Sequence, residues 1–242
     1  MARVVVPVEV LEGETVSAGL VGLLVPADVT VLGYHVVPEQ TTPEQMQAQF
    51  GERATEALED LTEEFRSAGA TADYRLVFTH DRDQSVERIV DELAADAVTT
   101  TGTTGTVERL LVSLTGDVAV GRITAFVESI AANRPIEVTL LAATAEEAAD
   151  PGRIDAAAEA LAAADVDVVA VTAVDDSPLN ALVDAVPGHD AIVMGERAPS
   201  LSSILLGDFS ERVAAATVGP VLVVQAPDPD SEVGPADDDS PE

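Results

Sequence analysis

The chain has 242 residues, 47% of them hydrophobic and 3% aromatic, with 44 acidic residues against 12 basic ones and a formal charge of −32. That apolar content sustains a buried core of Val, Leu, Ile and Ala, and the length suits one large domain or two small ones. No cysteine is present, which excludes disulfides, thiolate catalysis and Cys-ligated metal centres, while the lack of clustered cations argues against nucleic acid and anionic membrane as partners.

Every cation is Arg; the chain has no lysine. A surface this acidic repels itself in dilute salt and suits a salt-filled cytoplasm, where the Debye length shrinks to ~3 Å at molar ionic strength. The opening "MARVVVPVEV" enters a strand-like run without the features of a signal peptide, and no apolar stretch reaches the ~20 residues of a membrane span. A cytoplasmic protein is expected.

Taken in chain order, the first apolar, β-branched run is "RVVVPVEV" (3–10), followed by "DVTVLGYHVV" (28–37). The segment 42–69 then places Phe50, Ala54, Ala57, Leu58, Leu61 and Phe65 at helical spacing, with Pro43 near its start. Next come a strand "ADYRLVFTH" (72–80), a helix from Ser85 and a short strand "AVTTTG" (97–102). The second half runs "VERLLVSL" (107–114), a helix 120–133, "IEVTLLAAT" (136–144), a helix 152–165, "VDVVAVTAV" (166–174), a helix capped by Ser177 and Pro178, and "HDAIVMG" (189–195). A loop, a helix "SILLGDFSERVAAAT" (203–217) and a last strand "PVLVVQ" (220–225) close it. Strands alternating with helices imply βαβ units and a mostly parallel sheet covered on both faces.

The chain also repeats itself. "PADVTVLGYHVV" echoes "RPIEVTLLAATA", and "VERIVDELAADAVTTTG" echoes "LNALVDAVPGHDAIVMG" at a displacement of about 93 residues. A period this long is too large for a solenoid and indicates two related α/β domains. The expected boundaries are 1–105 for a truncated four-stranded copy, 106–226 for a complete five-stranded copy, and 227–242 for a disordered, acidic, Pro-rich tail.

The segment "VMGERAPSLSSILLGDFSERVAAATVGPVLVV" (193–224), the opening "RVVVPVEV" and the order of elements in both halves resemble the universal stress protein family in a tandem form. The lysine-free, acidic composition is similar to haloarchaeal members. The resemblance implies two fused parallel-sheet domains of the adenine nucleotide alpha hydrolase-like type, each of strand order 3-2-1-4-5, the first truncated. It also implies a final strand that joins domains. Many members bind ATP through a loop of Gly, two residues, Gly, nine residues, Gly and then Ser or Thr, with an acidic residue after the first strand. Glycines let backbone amides approach the phosphates, and the hydroxyl adds an uncharged donor.

Both halves depart from that pattern. In the second, Gly195 fits the first glycine, Ala198 replaces the second, and Asp208 stands after Gly207 where the hydroxyl belongs; Thr115 sits in place of the first-strand acid. In the first, Gly102 and Gly105 have the right spacing and Glu9 could supply the acid, but the loop runs directly into the next copy. A carboxylate ~4 Å from a phosphate costs ~1–4 kcal/mol depending on the surrounding dielectric, and the lost hydroxyl bond adds ~0.5–1.5 kcal/mol. The site is therefore read as a degenerate nucleotide cradle, with no cofactor or metal expected.

The expected function is a non-enzymatic stress-response or regulatory protein acting through protein contacts. Val221, Leu222, Val223 and Val224 are expected to pair either between two copies or between the halves of one chain. One alternative is ATP binding with slow magnesium-dependent hydrolysis, using Gly195, Arg197, Gly207 and Asp208. Another is a metal or acid–base pocket built from Glu9, His35, His80 and Asp81 at strand ends of the first half. His189 is expected to be structural.

Overall fold

The computed structural model describes residues 1–115, 118–144, 151–174, 178–196 and 219–226. Each long β-branched run of the sequence is a strand. The first half holds β1 (Arg3–Glu9), α1 (Ala18–Leu23), β2 (Asp28–Val36), α2 (Pro43–Ser67), β3 (Thr71–Thr79), α3 (Arg82–Leu93) and β4 (Ala97–Thr99). The second holds β5 (Arg109–Ser113), α4 (Val120–Ala131), β6 (Glu137–Thr144), α5 (Pro151–Ala163), β7 (Asp167–Val174), α6 (Pro178–Ala185), β8 (Ala191–Gly195) and β9 (Val221–Val224). The sequence-expected helix at 203–217 and the acidic tail lie outside the described residues.

Local chemistry explains the element ends. Thr42 and Gln45 form a reciprocal capping box at the start of α2, with Pro43 in its first turn. Asp81 caps α3 by accepting from the Gln84 amide at 3.0 Å. The six-residue α1, capped by Ser17, went unread in the sequence because so short a helix shows no period.

The strands form one nine-stranded sheet of order β3-β2-β1-β4-β9-β8-β5-β6-β7. Within it, β3-β2-β1-β4 is the 3-2-1-4 part of the expected order, and β7-β6-β5-β8-β9 is the full five-stranded version. All neighbours are parallel except β4 and β9, which pair antiparallel with Ala97 opposite Val224 and Thr99 opposite Leu222. The strand absent from the first half is thus replaced at its edge by the last strand of the second.

The seam at β4 and β9 is tight. Thr100 donates its amide to the Val221 carbonyl at 2.9 Å, and its hydroxyl accepts from the Val221 amide at 3.1 Å. A Cβ on Gly102 would lie 2.3 Å from the Gly219 carbonyl carbon, so only glycine lets these two chain segments approach. Right-handed crossovers place α1, α2, α4 and α5 on one face and α3 and α6 on the other. On the first of these faces the Arg134 guanidinium donates to Leu23 O at 2.8 Å, Gly22 O at 2.8 Å and Ile130 O at 2.7 Å, tying the carbonyl ends of α1 and α4 together. One hydrophobic cluster runs through both halves, from Val4, Leu32 and Phe65 to Leu110, Leu140 and Leu222.

Candidate functional site

Open parallel sheets bind ligands at the carboxyl ends of their strands, where the strand order reverses. Because β4 and β9 are antiparallel, all strands of one half run against those of the other. The two carboxyl-end crevices therefore open on opposite edges of the sheet and share no residue.

At the first-half edge, β1 ends at Glu9 and β2 carries Tyr34 and His35, in register with Glu9 and Phe78 respectively. His35 donates its Nδ1 proton to Glu9 Oε1 at 2.8 Å, with the two side chains 20% and 14% exposed. Burial pushes the Glu9 carboxyl above its ordinary range, against the opposing pull of the His35 bond. The His35 ring meets Phe78 edge-on at 6.1 Å.

The two other residues of the expected pocket do not join this pair. His80 is exposed and gives its Nδ1 proton to the Val37 carbonyl at 2.9 Å. Asp81 is committed to the α3 cap. Among the described residues no group of three or more His, Cys, Asp or Glu could hold a metal ion. The reason is topological: His80 and Asp81 follow β3, the outer strand, and the turn into α3 uses both side chains for backbone bonding.

The crevice between β1 and β4, where the order reverses, holds a side chain that sequence reasoning missed. Glu14, on the turn after β1, accepts the Glu9 amide at 2.7 Å with one carboxylate oxygen and the Thr101 hydroxyl with the other. A carboxylate thus occupies one backbone donor and one hydroxyl at this crevice. No spacing rule marks a single Glu in "LEGETVS" for this role; only the fold brings residue 101 to it.

Gly102 in the first-half loop and Gly19 on α1 serve packing. Gly102 backs onto Gly219 and Pro220, as described above. The Gly105 carbonyl presses against α1, where a Cβ on Gly19 would lie 1.7 Å from it. No helix follows β4: residues 100–108 have no regular structure.

In the second half, Thr115 is buried just beyond β5. Gly195 ends β8, and a Cβ there would meet Val118 Cγ1 at 2.9 Å and Ile123 Cδ1 at 3.2 Å. The Cβ side of Gly195 is filled by the buried Val118 and Ile123. Arg197, Ala198, Gly207 and Asp208 lie outside the described residues. His189 donates Nδ1–H to the Ala185 carbonyl and accepts the Thr139 hydroxyl at Nε2, both at 2.9 Å, which makes it a tie between α6 and β6.

A further cluster gathers at the start of α3. Arg82 stacks over Tyr34 at 5.3 Å and donates Nη1–H to Asp83 at 3.0 Å, while its buried Nε has no partner among the described residues. Burial raises the Tyr34 hydroxyl pKa above its ordinary value, partly offset by the Arg82 charge.

The half that carries Gly195 and β9 has a family likeness. Residues 124–225 match the universal stress protein family. A universal stress protein from Archaeoglobus fulgidus DSM 4304 aligns over 92% of this chain and 96% of its own, with a TM-score of 0.63 at 15% identity. A universal stress protein in complex with cAMP covers 50% of this chain and 98% of its own, with a TM-score of 0.40 at 21% identity. A second universal stress protein from Archaeoglobus fulgidus covers 48% of this chain and 92% of its own, with a TM-score of 0.37 at 18% identity. No curated protein matches the sequence. The full-length alignment shows the parallel-sheet α/β fold for both halves, and the residues that match the family model lie in the second. Among the described residues no helix is long and apolar enough to cross a membrane.

Proposed function

We propose that this is a cytoplasmic, non-enzymatic protein of the universal stress type that acts through protein contacts, its nucleotide cradle given over to packing. The observation that carries the reading is the filled corner at Gly195, where Val118 stands 2.9 Å from the position of an added Cβ. A ligand packing on the Cβ face of that glycine would have to displace a side chain only 7% exposed. The first-half crevice supports the same reading, because the Glu14 carboxylate already holds the Glu9 amide and the Thr101 hydroxyl. Both crevices belong to a chain of charge −32, which disfavours a triphosphate at long range.

The lysine-free, acidic composition supports a high-salt cytoplasm of the haloarchaeal kind. Pairing through Val221–Val224 is then intrachain: β9 lies between β8 and β4, so neither of its edges is left for a second copy.

The test is a melting titration with ATP and magnesium in molar KCl. A ligand present at 100 times its Kd adds ~2.7 kcal/mol to stability, a shift of several degrees for a domain of this size. The expected result is no saturable rise with millimolar ATP. A saturable rise, together with ATP retained by protein purified without added nucleotide, overturns the reading.

A further inference from the structure

The β4–β9 joint closes the sheet at its centre and leaves two outer strands, β3 and β7. Successive residues of a strand turn their amide and carbonyl to opposite neighbours, so the bonds on the inner side fix which groups face outward. On β3, the Thr79 carbonyl accepts the Val37 amide and so faces β2, which turns Ala72, Tyr74 and Leu76 outward. Two of those outward groups are taken. Asp73 Oδ1 accepts the Tyr74 amide at 2.8 Å, and Arg66 Nε donates to the Ala72 carbonyl at 2.9 Å. Asp73 and Arg75 add exposed charges, so this edge is guarded.

The other edge has none of these devices. Glu137 donates its amide to Glu108 and Leu141 accepts from Leu114, so the odd-numbered residues of β6 face β5 and the even ones face β7. The pairing of Val138 with Val168 and Leu140 with Ala170 then turns Val169 and Val171 toward β6, and Val168, Ala170 and Thr172 outward. Among the described residues no hydrogen bond reaches the outward backbone groups of those three. The strand sequence DVVAVTAV holds no Pro, no Gly and no charge beyond Asp167, and Val169 is 46% exposed.

We propose that β7 is the docking edge for a second copy of this chain, the two β7 strands pairing antiparallel about a twofold axis at Val171. The outward residues are even-numbered on both copies, so that axis sets Ala170 opposite Thr172 and Val168 opposite Val174, with every donor facing an acceptor. A twofold axis also makes each contact twice, which a strand from an unlike protein does not. The same kind of antiparallel edge joint already holds β4 to β9 within the chain. A copy offering β3 instead meets the Asp73 and Arg66 bonds, so head-to-tail growth is blocked and assembly stops at two. Charge sets the condition. Two chains of −32 repel in dilute salt, whereas at molar ionic strength the ~3 Å Debye length confines repulsion to close contacts, and the one charge of β7 lies at its end. The proposal does not rest on the loss of nucleotide binding, since β7 is the strand farthest from the β4–β9 seam in its half.

The experiment is sedimentation equilibrium of the full chain in molar KCl, from about 10 µM to about 1 mM, because a joint of one strand per copy is small and the dimer correspondingly weak. The mass is expected to rise from one chain to two and no further. Ala170→Pro removes an outward amide that β6 does not use, a position where an edge strand tolerates proline. It deletes two symmetry-related bonds and is expected to weaken dimerisation about tenfold or more. Val169→Glu, which sets a like charge on each copy at an exposed position, is expected to weaken it as well, with circular dichroism showing both variants folded. Backbone hydrogen exchange reads the edge directly: the Ala170 and Thr172 amides are expected to gain protection with concentration while Leu76 on β3 does not. A single-chain mass up to 1 mM overturns the proposal, leaving the edge to a strand of another protein. So does a mass that climbs past two chains, and so does wild-type dimerisation in both folded variants.

Discussion

Gly102 gives the sharpest test, because the sequence reads it as a phosphate-binding glycine and the fold uses it as a spacer. In Gly102→Ala the new Cβ would stand 2.3 Å from the Gly219 carbonyl carbon, 2.4 Å from Pro220 N and 2.6 Å from Gly219 O. Carbon contacts relax only near ~3.5–4.0 Å, so one backbone segment must retreat by about 1 Å or more. Such overpacking costs ~1–3 kcal/mol. The retreat also strains the Thr100–Val221 bonds at 2.9 and 3.1 Å, each contributing ~0.5–1.5 kcal/mol net. Restricting the unfolded chain returns ~0.4–1 kcal/mol. The balance is a loss of about 3 kcal/mol, or a melting temperature lower by ~6–12 °C for a chain of this length. Urea unfolding followed by far-ultraviolet circular dichroism in molar KCl measures it. Gly105→Ala is the control: nothing lies within 4 Å of a Cβ there, so its stability should match the wild type or slightly exceed it. Equal midpoints for Gly102→Ala and the wild type would falsify the spacer argument.

Three other outcomes are expected. Arg134→Met removes the guanidinium that joins the carbonyl ends of α1 and α4 and should cost about 2–3 kcal/mol, with Arg134→Lys recovering part of it, in the same unfolding assay. Glu9 has a folded pKa raised by burial above its ordinary 4.5, so its favourable contribution is complete below that value and is lost as pH rises through the higher folded one. Melting curves across the weakly acidic range should therefore fall less steeply with pH in Glu9→Gln; parallel curves for the two proteins would refute the assignment. Lowering KCl from molar to about 0.1 M lengthens the Debye length from ~3 to ~10 Å and lets 44 acidic residues repel one another, so the melting temperature should drop. A salt-independent melting temperature would contradict the high-salt reading.

What the sequence determined by itself is the local layer of the structure. β-Branched runs bounded by turn residues marked all nine strands within three residues at either end, since a strand buried on both faces must be apolar along its length. Thr42, Pro43 and Gln45 announced the start of α2, because a cap is a contact between near neighbours. The internal repeat gave the four-plus-five division of strands, and the family resemblance supplied the order within each half.

Tertiary structure alone decided what those residues touch. His80 and Asp81 read as ligands beside Glu9 and His35, yet the turn into α3 draws both away. Gly102 reads as a phosphate glycine, yet β9 arrives beside it from 117 positions further along the chain, Gly219 against Gly102. Glu14 carries no signal at all until folding brings Thr101 within reach of its carboxylate. Strand and cap signals act over a few residues and are written in the neighbouring letters. Crevices are closed by long-range contacts whose geometry depends on strand order, and in this chain on one antiparallel pairing that turns the two halves head to tail.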